Sequence, residues 1–209
     1  MRMSRMHLRM MENDAMKRWI VYIILPLLLL TVFSGCGNAR VPDEEIASVA
    51  QALIADSVEI NVIYFGAGLS SVPKDSAAAL GFTNYSYLPV DPATGYKSID
   101  DIKAATKKVY SASYCEYLFT LAFSGITEDN GTTAAYARYM EHYDGTLAVR
   151  REIEGYPIRT YEGPITVVEN RGTTATVRLQ SYVDGKADVE VDVQLVLEKD
   201  GWRLDSPTY

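Results

Sequence analysis

Residues 173–205 read TTATVRLQSYVDGKADVEVDVQLVLEKDGWRLD, and this stretch decides the fold class. Apolar side chains occupy every second position over residues 175–179 and again over residues 189–197. Asp-Gly dipeptides at 184–185 and 200–201 are typical of tight turns between antiparallel strands. Alternation with a period of two predicts strands that bury one face and expose the other. The stretch therefore predicts an antiparallel meander.

Turn signals of the same kind lie upstream. Asn170-Arg171-Gly172 follows an alternating stretch over residues 159–169, and Asp144-Gly145 lies between residues 139–143 and 146–150. Both patterns predict further hairpins.

The part of the chain before these strands has helical signals instead. Pro42 opens a stretch with helical spacing of apolar residues over 42–64, and Ser98 with Asp101 forms a capping-box pattern. Ser111 is the N-cap of a third predicted helix, and residues 69–82 are predicted to be a loop with one short helical turn. Helices followed by strands indicate an α+β fold, with the N-terminal helices packed on one side of a curved antiparallel sheet.

The beginning of the chain has the parts of an export signal. Lys17 and Arg18 precede an apolar run over residues 19–33, and small residues follow in Ser34-Gly35-Cys36. This arrangement resembles the signal of bacterial lipoproteins, whose lipobox reads Leu-Ala/Ser-Gly/Ala-Cys. Phe33 replaces the usual leucine, and the other positions match.

The resemblance implies a specific processing. Residues 1–35 would be removed, Cys36 would carry the lipid as a palmitate-type acyl anchor, and residues 36–41 would form a tether to a single domain over 42–209. Met16 is an alternative start, because it gives the most compact leader. The implied location is the outer face of the cytoplasmic membrane, or the outer membrane if the cell has one.

An uncleaved membrane anchor is the alternative for residues 19–33. This apolar run of 15 residues contains Pro26, whereas a spanning helix needs about 20 residues. The lipoprotein signal therefore fits the sequence better, and both interpretations place the domain outside the cytoplasm.

Charge excludes one class of partner. The leader holds five of the 20 basic residues and two of the 27 acidic residues, so the remaining chain has a net charge of −10. Such a domain is repelled by phosphate backbones, and we expect no nucleic acid as a partner.

The mature chain has few residues that could carry covalent chemistry. Cys115 is its second cysteine, in an apolar helical stretch, and we expect it to be a small buried residue. His142 is its one histidine, and no sequence motif of a common hydrolase or nucleotide-binding site occurs. The sequence predicts neither an enzyme nor a cofactor.

Tyrosines supply the best candidate for a recognition surface. Tyrosine combines a rigid apolar ring with a polar tip, which suits protein or glycan contacts, but it is also a favoured strand residue. The candidate binding surface consists of Tyr136, Tyr139, Tyr143, His142 and Tyr182.

Two groups of polar residues allow a catalytic or metal-binding interpretation. His142 lies between Glu141 and Asp144, but adjacent strand residues point to opposite faces and Asp144 belongs to the turn, so a packed or exposed histidine is favoured. Asp188, Glu190 and Asp192 alternate on one strand, and we expect a solvated acidic face with Arg178 nearby rather than a calcium site. These interpretations predict no catalytic residue and no metal.

The final strands, ending in DGWRLD at residues 200–205, resemble those of cystatin-like and NTF2-like domains. Residues 96–125, followed by YDGTL at 143–147, are similar to the secreted IseA-type inhibitors of cell-wall D,L-endopeptidases. This resemblance implies a binding module that acts on an envelope protein such as a peptidoglycan hydrolase. The alternatives are a small-molecule carrier or enzyme that uses the concave face of the sheet, and a structural accessory protein of the envelope.

Overall fold

The computed structural model describes residues 40–82, 84, 86–129, 131–152 and 155–209. The predicted leader, Cys36 and residues 37–39 of the tether lie outside the described residues. Arg40–Tyr209 forms one compact unit.

Helices and strands alternate early in this unit, and strands follow one another later. The helices are α1 (Asp43–Tyr64), α2 (Ala77–Leu80), α3 (Ile99–Val109) and α4 (Ala112–Phe119), with a 3₁₀ turn at Pro92–Thr94 and a π-helical turn at Thr120–Ser124. The strands are β1 (Tyr87–Pro89), β2 (Ile126–Thr127), β3 (Thr133–Ala135), β4 (Tyr139–Glu141), β5 (Leu147–Arg150), β6 (Thr160–Asn170), β7 (Thr174–Val183), β8 (Lys186–Glu198) and β9 (Gly201–Leu204).

The long helix α1 is the centre of the core. Pro42 precedes its first turn, which holds Asp43, Glu44 and Glu45, and the helix dipole favours acidic residues at this end. One face is buried along the whole helix: Ile46, Ala50, Leu53, Ile54, Ser57, Ile60, Asn61, Ile63 and Tyr64. By length and composition α1 is also apolar enough to cross a membrane, and it is the one helix of the described residues with this property. Its buried face packs in the core of the domain.

The predicted meander is present as a four-stranded antiparallel sheet in the order β6-β7-β8-β9. Asp184 and Gly185 both have positive φ angles, 52° and 71°, which a type I′ hairpin turn requires. Val177 and Val193 are paired across β7 and β8, and both are fully buried. Helices packed with antiparallel sheets confirm the predicted α+β class.

The earlier hairpin does not join this meander. β4 and β5 pair with each other and with β1, and β2 and β3 form a separate pair. β6 is one edge of the meander, and its pairing with β7 is irregular between Glu162 and Thr166. Gly163 has a φ of 90° there, and Pro164 has no N–H to donate. An edge interrupted in this way is unsuited to receiving another strand.

The C-terminal residues are fastened to α1 by a buried polar network. The Tyr110 hydroxyl donates to Asn61 Oδ1 over 2.7 Å, and Asn61 Nδ2 donates to the Thr208 hydroxyl over 2.9 Å. Thr208 in turn donates to the Ser57 hydroxyl over 2.9 Å. These side chains are all at most 1% exposed, so each hydrogen bond satisfies a polar group that water does not reach.

Candidate functional site

Residues 69–82 form an ordered loop along β1. The N–H of Val72 donates to the Pro89 carbonyl over 3.0 Å, and the N–H of Leu69 donates to the Tyr139 hydroxyl over 2.9 Å. Within the loop, Ser76 caps α2 by accepting a hydrogen bond from the Ala79 N–H. The predicted helical turn is therefore present, and it ends on Leu80, whose side chain is 75% exposed.

The turn between β4 and β5 lies beside the end of this loop. The N–H of Gly145, at a φ of 84°, donates to the His142 carbonyl, and the N–H of Thr146 donates to Asp144 Oδ1 over 2.9 Å. That backbone hydrogen bond is the main reason why the pKa of Asp144 is lowered. Asp144 Oδ1 also lies 3.2 Å from Nδ1 of His142, so the turn orients the imidazole ring.

Aromatic contacts join the loop to the turn. The ring centroids of Phe82 and His142 are 4.5 Å apart, and those of His142 and Tyr143 are 4.0 Å apart. The His142 side chain is only 10% exposed, whereas Tyr143 is 88% exposed. We call the four residues Leu80, Phe82, His142 and Tyr143 the aromatic tip. It presents two large apolar side chains to solvent on a support of packed rings.

The predicted tyrosine surface is divided by the fold. The prediction was wrong for Tyr139, which is fully buried; its hydroxyl bonds to main-chain groups of α1 and the 69–82 loop, and burial raises its pKa. Tyr136 is 61% exposed but lies before β4, where its ring faces the Arg150 guanidinium at 4.3 Å. Tyr182 is half-buried on β7, in the four-stranded sheet. Of the predicted residues, the aromatic tip therefore keeps only His142 and Tyr143.

The predicted tyrosine surface did not include Leu80 or Phe82. Residues 69–82 were predicted to be a loop with one short helical turn, but no local pattern indicates that this loop meets a turn some sixty residues later. The contact exists because β1, which follows the loop, pairs with β5.

Glu141 has a structural position next to the tip. Its Oε1 accepts a hydrogen bond from the Ile99 N–H over 2.7 Å, at the first residue of α3. Ser98 and Asp101 complete the predicted capping box at the same helix end. Glu141 is therefore held away from His142, as the alternation of strand residues predicted.

The acidic residues of β8 are partly neutralised by arginines. Arg178 makes two hydrogen bonds to the carboxylate of Asp192, at 2.6 and 2.8 Å, and this contact lowers the pKa of Asp192. Arg159 lies 2.6 Å from Asp188 Oδ2. No group of three or more His, Cys, Asp or Glu side chains that could hold a metal ion occurs among the described residues.

Cys115 is buried, as predicted. It is 1% exposed, and its Sγ donates a hydrogen bond to the Tyr110 carbonyl at 3.6 Å. Burial raises the pKa of the thiol to about 11, so the neutral, weakly reactive form is present near pH 7.

A groove of about 230 Å³ lies between α1 and the first part of β6. Half of its lining residues are aliphatic, and the polar ones are Gln51, Thr160, Tyr161 and Glu162. Ligand sites generally have volumes of about 300–1,000 Å³ and converging polar groups. The volume of this groove lies below that range, so it gives the carrier alternative only weak support.

Comparison with known proteins adds no relative to this picture. The sequence matches no protein-family model, and no curated protein is significantly similar to it.

Proposed function

We propose that the protein is an exported lipoprotein, anchored by Cys36, whose domain binds another protein of the cell envelope through the aromatic tip. The observation that supports this proposal is the exposure of Leu80 and Tyr143, at 75% and 88%, on two segments that are joined by the contact between the Phe82 and His142 rings. Exposed apolar side chains that are grouped on a surface mark interaction sites in soluble domains.

The support of the tip favours a binding role. The His142 ring contacts the rings of Phe82 and Tyr143 at tilted angles of 44° and 47°, and these contacts restrict the side chains before any partner arrives. A side chain that is already ordered loses less conformational entropy on binding, so more of its contact energy contributes to affinity. Tyrosine is also enriched among the residues that dominate binding energies at interfaces.

The proposed partner is a peptidoglycan hydrolase of the D,L-endopeptidase class. This choice rests on the resemblance of residues 96–125 and 143–147 to IseA-type inhibitors, and the aromatic tip contains Tyr143 of the second segment. An inhibitor that is anchored to the membrane would act on hydrolases close to the cell surface.

The carrier alternative is supported by one observation, the groove between α1 and β6. Tyr161 lines it, and burial raises the pKa of this tyrosine to about 12, so its hydroxyl is a neutral donor. The groove would suit only a small, largely apolar ligand, and we regard the aromatic tip as the better candidate.

The test combines site-specific crosslinking with an activity assay. A photoreactive amino acid in place of Tyr143 is crosslinked in cells, the captured protein is identified by mass spectrometry, and the purified hydrolase is then titrated with the mature protein while cell walls are digested. Tyr143→Ala should weaken inhibition by about 2 kcal/mol, or roughly thirtyfold in Kd, if the ring is a central contact.

Tyr136→Ala is the matched control, because Tyr136 is also exposed but lies at the other end of the β4–β5 hairpin. Equal inhibition by wild type and Tyr143→Ala would remove the tip as the binding site. Absence of inhibition by the wild-type protein would remove the inhibitor proposal.

A further inference from the structure

Asn170 connects the first described residues of the domain to the sheet. Its Nδ2 donates to the Val41 carbonyl over 2.8 Å and to Asp43 Oδ1 over 2.7 Å, while its Oδ1 accepts from the Gly172 N–H over 3.0 Å. Asn170 itself is 7% exposed, whereas the side chain of its partner Asp43 is 53% exposed, so the clamp lies at the margin of the core. We call this arrangement the Asn170 clamp.

The clamp marks one end of the domain. The β6–β7 turn that contains it lies beside the β8–β9 turn, because the Leu197 N–H donates to the Thr173 carbonyl over 2.8 Å. From Asp43 at the clamp, α1 rises about 30 Å to Ile63, at 1.5 Å per residue. There the Ile63 carbonyl accepts a hydrogen bond from Tyr139, in the same strand pair that carries the aromatic tip.

We propose that the Asn170 clamp orients the domain on the membrane, with the β6–β7 and β8–β9 turns facing the lipid and the far end of α1 directed away from it. The inference rests on the proposed function, since it requires an anchor at Cys36. Val41 follows Cys36 by five residues, a path of at most about 18 Å when fully extended. A longer tether, or one that is not held by Asn170, would let the domain rotate freely relative to the membrane. The tether of this protein ends at Val41, which is fixed to the sheet by Asn170.

Charge does not supply the attraction to the bilayer. Arg171 is paired with Glu169 at 2.7 Å, and Arg40 lies 3.8 Å from Asp43, so both arginines already face carboxylates. The exposed Lys199 on the β8–β9 turn is followed directly by the exposed Asp200. The short, clamped connection is therefore the feature that sets the orientation of the lipid-facing end.

The orientation is measurable on vesicles without relying on natural lipidation. The mature chain from Cys36, with Cys115→Ala, is coupled through Cys36 to maleimide lipids in vesicles that also contain nickel-chelating lipids. Spin labels are attached through an unnatural amino acid at Arg171, beside the clamp, or at Ala67, just beyond α1. Both residues are exposed. Nickel at the membrane surface accelerates the relaxation of nearby spin labels. The label at position 171 should therefore relax several-fold faster than the label at position 67.

The variant that tests the clamp is Asn170→Asp. It keeps an oxygen for the Gly172 N–H but loses the Nδ2 donor to Val41 and Asp43, so the two relaxation rates should become similar. Asn170→Ala removes the same donor without adding charge. Lys199→Gln, on the exposed β8–β9 turn, makes the same change in net charge as Asn170→Asp and should keep the wild-type ratio.

Circular dichroism of each variant establishes that the fold is retained. Equal relaxation rates at positions 171 and 67 in the wild-type protein would overturn the inference. It would also be overturned if both Asn170 variants kept the wild-type ratio of these two rates. Neither result depends on whether cells lipidate Cys36, which labelling in cells decides separately.

Discussion

The hydroxyl of Tyr139 donates a hydrogen bond to the carbonyl oxygen of Ile63 over 2.9 Å, and so joins β4 to the last turn of α1. The same hydroxyl accepts the N–H of Leu69, at the beginning of the loop that leads to the aromatic tip. The Tyr139 side chain therefore connects α1, the three-stranded sheet β1-β5-β4 and the 69–82 loop.

Replacing this tyrosine tests the connection. Tyr139→Phe keeps the ring but leaves the buried Ile63 carbonyl and the partly buried Leu69 N–H without their partner, which should lower the free energy of unfolding by about 1–3 kcal/mol. Urea unfolding followed by circular dichroism measures the loss. Tyr156→Phe, at a tyrosine that is 71% exposed, is the control and should change little. If Tyr139→Phe and the wild type were equally stable, the hydroxyl would make no net contribution to the free energy of unfolding.

The network at the C-terminus should be equally sensitive. Thr208→Val keeps the shape but removes the hydroxyl that contacts Ser57, Asn61 and Tyr110. Because those groups stay buried, we expect a loss of about 1–3 kcal/mol in unfolding free energy. Thr174→Val, at an exposed strand position, should stay within about 0.5 kcal/mol of wild type. A Thr208→Val protein as stable as this control would contradict the role assigned to the network.

Alkaline pH should destabilise the fold. Burial raises the pKa of the Cys115 thiol from 9.0 to about 11 and that of the Tyr110 hydroxyl from 10.0 to about 12. The unfolded chain releases these protons first, so stability that is complete below the unfolded pKa values is lost as the pH rises through the folded ones.

Urea unfolding at about pH 8 and about pH 10.5 measures the loss in unfolding free energy. We expect the Cys115 thiol to account for a loss on the order of 2 kcal/mol between these pH values. Cys115→Ala lacks this contribution and should lose less stability over the same interval. Parallel losses in the two proteins would mean that the thiol titrates normally in the fold.

Lipidation of Cys36 is tested by metabolic labelling with an alkyne fatty acid. The wild-type protein and Cys115→Ala should take up the label, whereas Cys36→Ala should not, because Cys36 is the predicted acylation site. Washing membranes with concentrated salt should not release the wild-type protein, since acyl chains rather than charge hold an acidic domain to the bilayer. Label on Cys36→Ala, or release by salt, would contradict the proposed anchor.

Local signals in the sequence predicted most of the secondary structure. Ser98 and Asp101 form the capping box at α3, and Asp184-Gly185 forms the hairpin turn between β7 and β8. These features depend on residues that are close in the chain, so the pattern alone contains the information. The candidate site was predicted less well, because only His142 and Tyr143 of the proposed surface lie in the aromatic tip.

By itself, the sequence determined the α+β class, the positions of the main helices and hairpins, and the acidic charge of residues 36–209, since periodicity, caps and composition are local or additive properties. Only the tertiary structure decided that β1 pairs with β5, that Tyr139 is buried, and that Phe82 lies against His142. Alternation along a strand indicates that one face is buried, but it does not indicate which helix or strand covers that face. That choice depends on contacts between distant residues, which form only when the whole core is assembled.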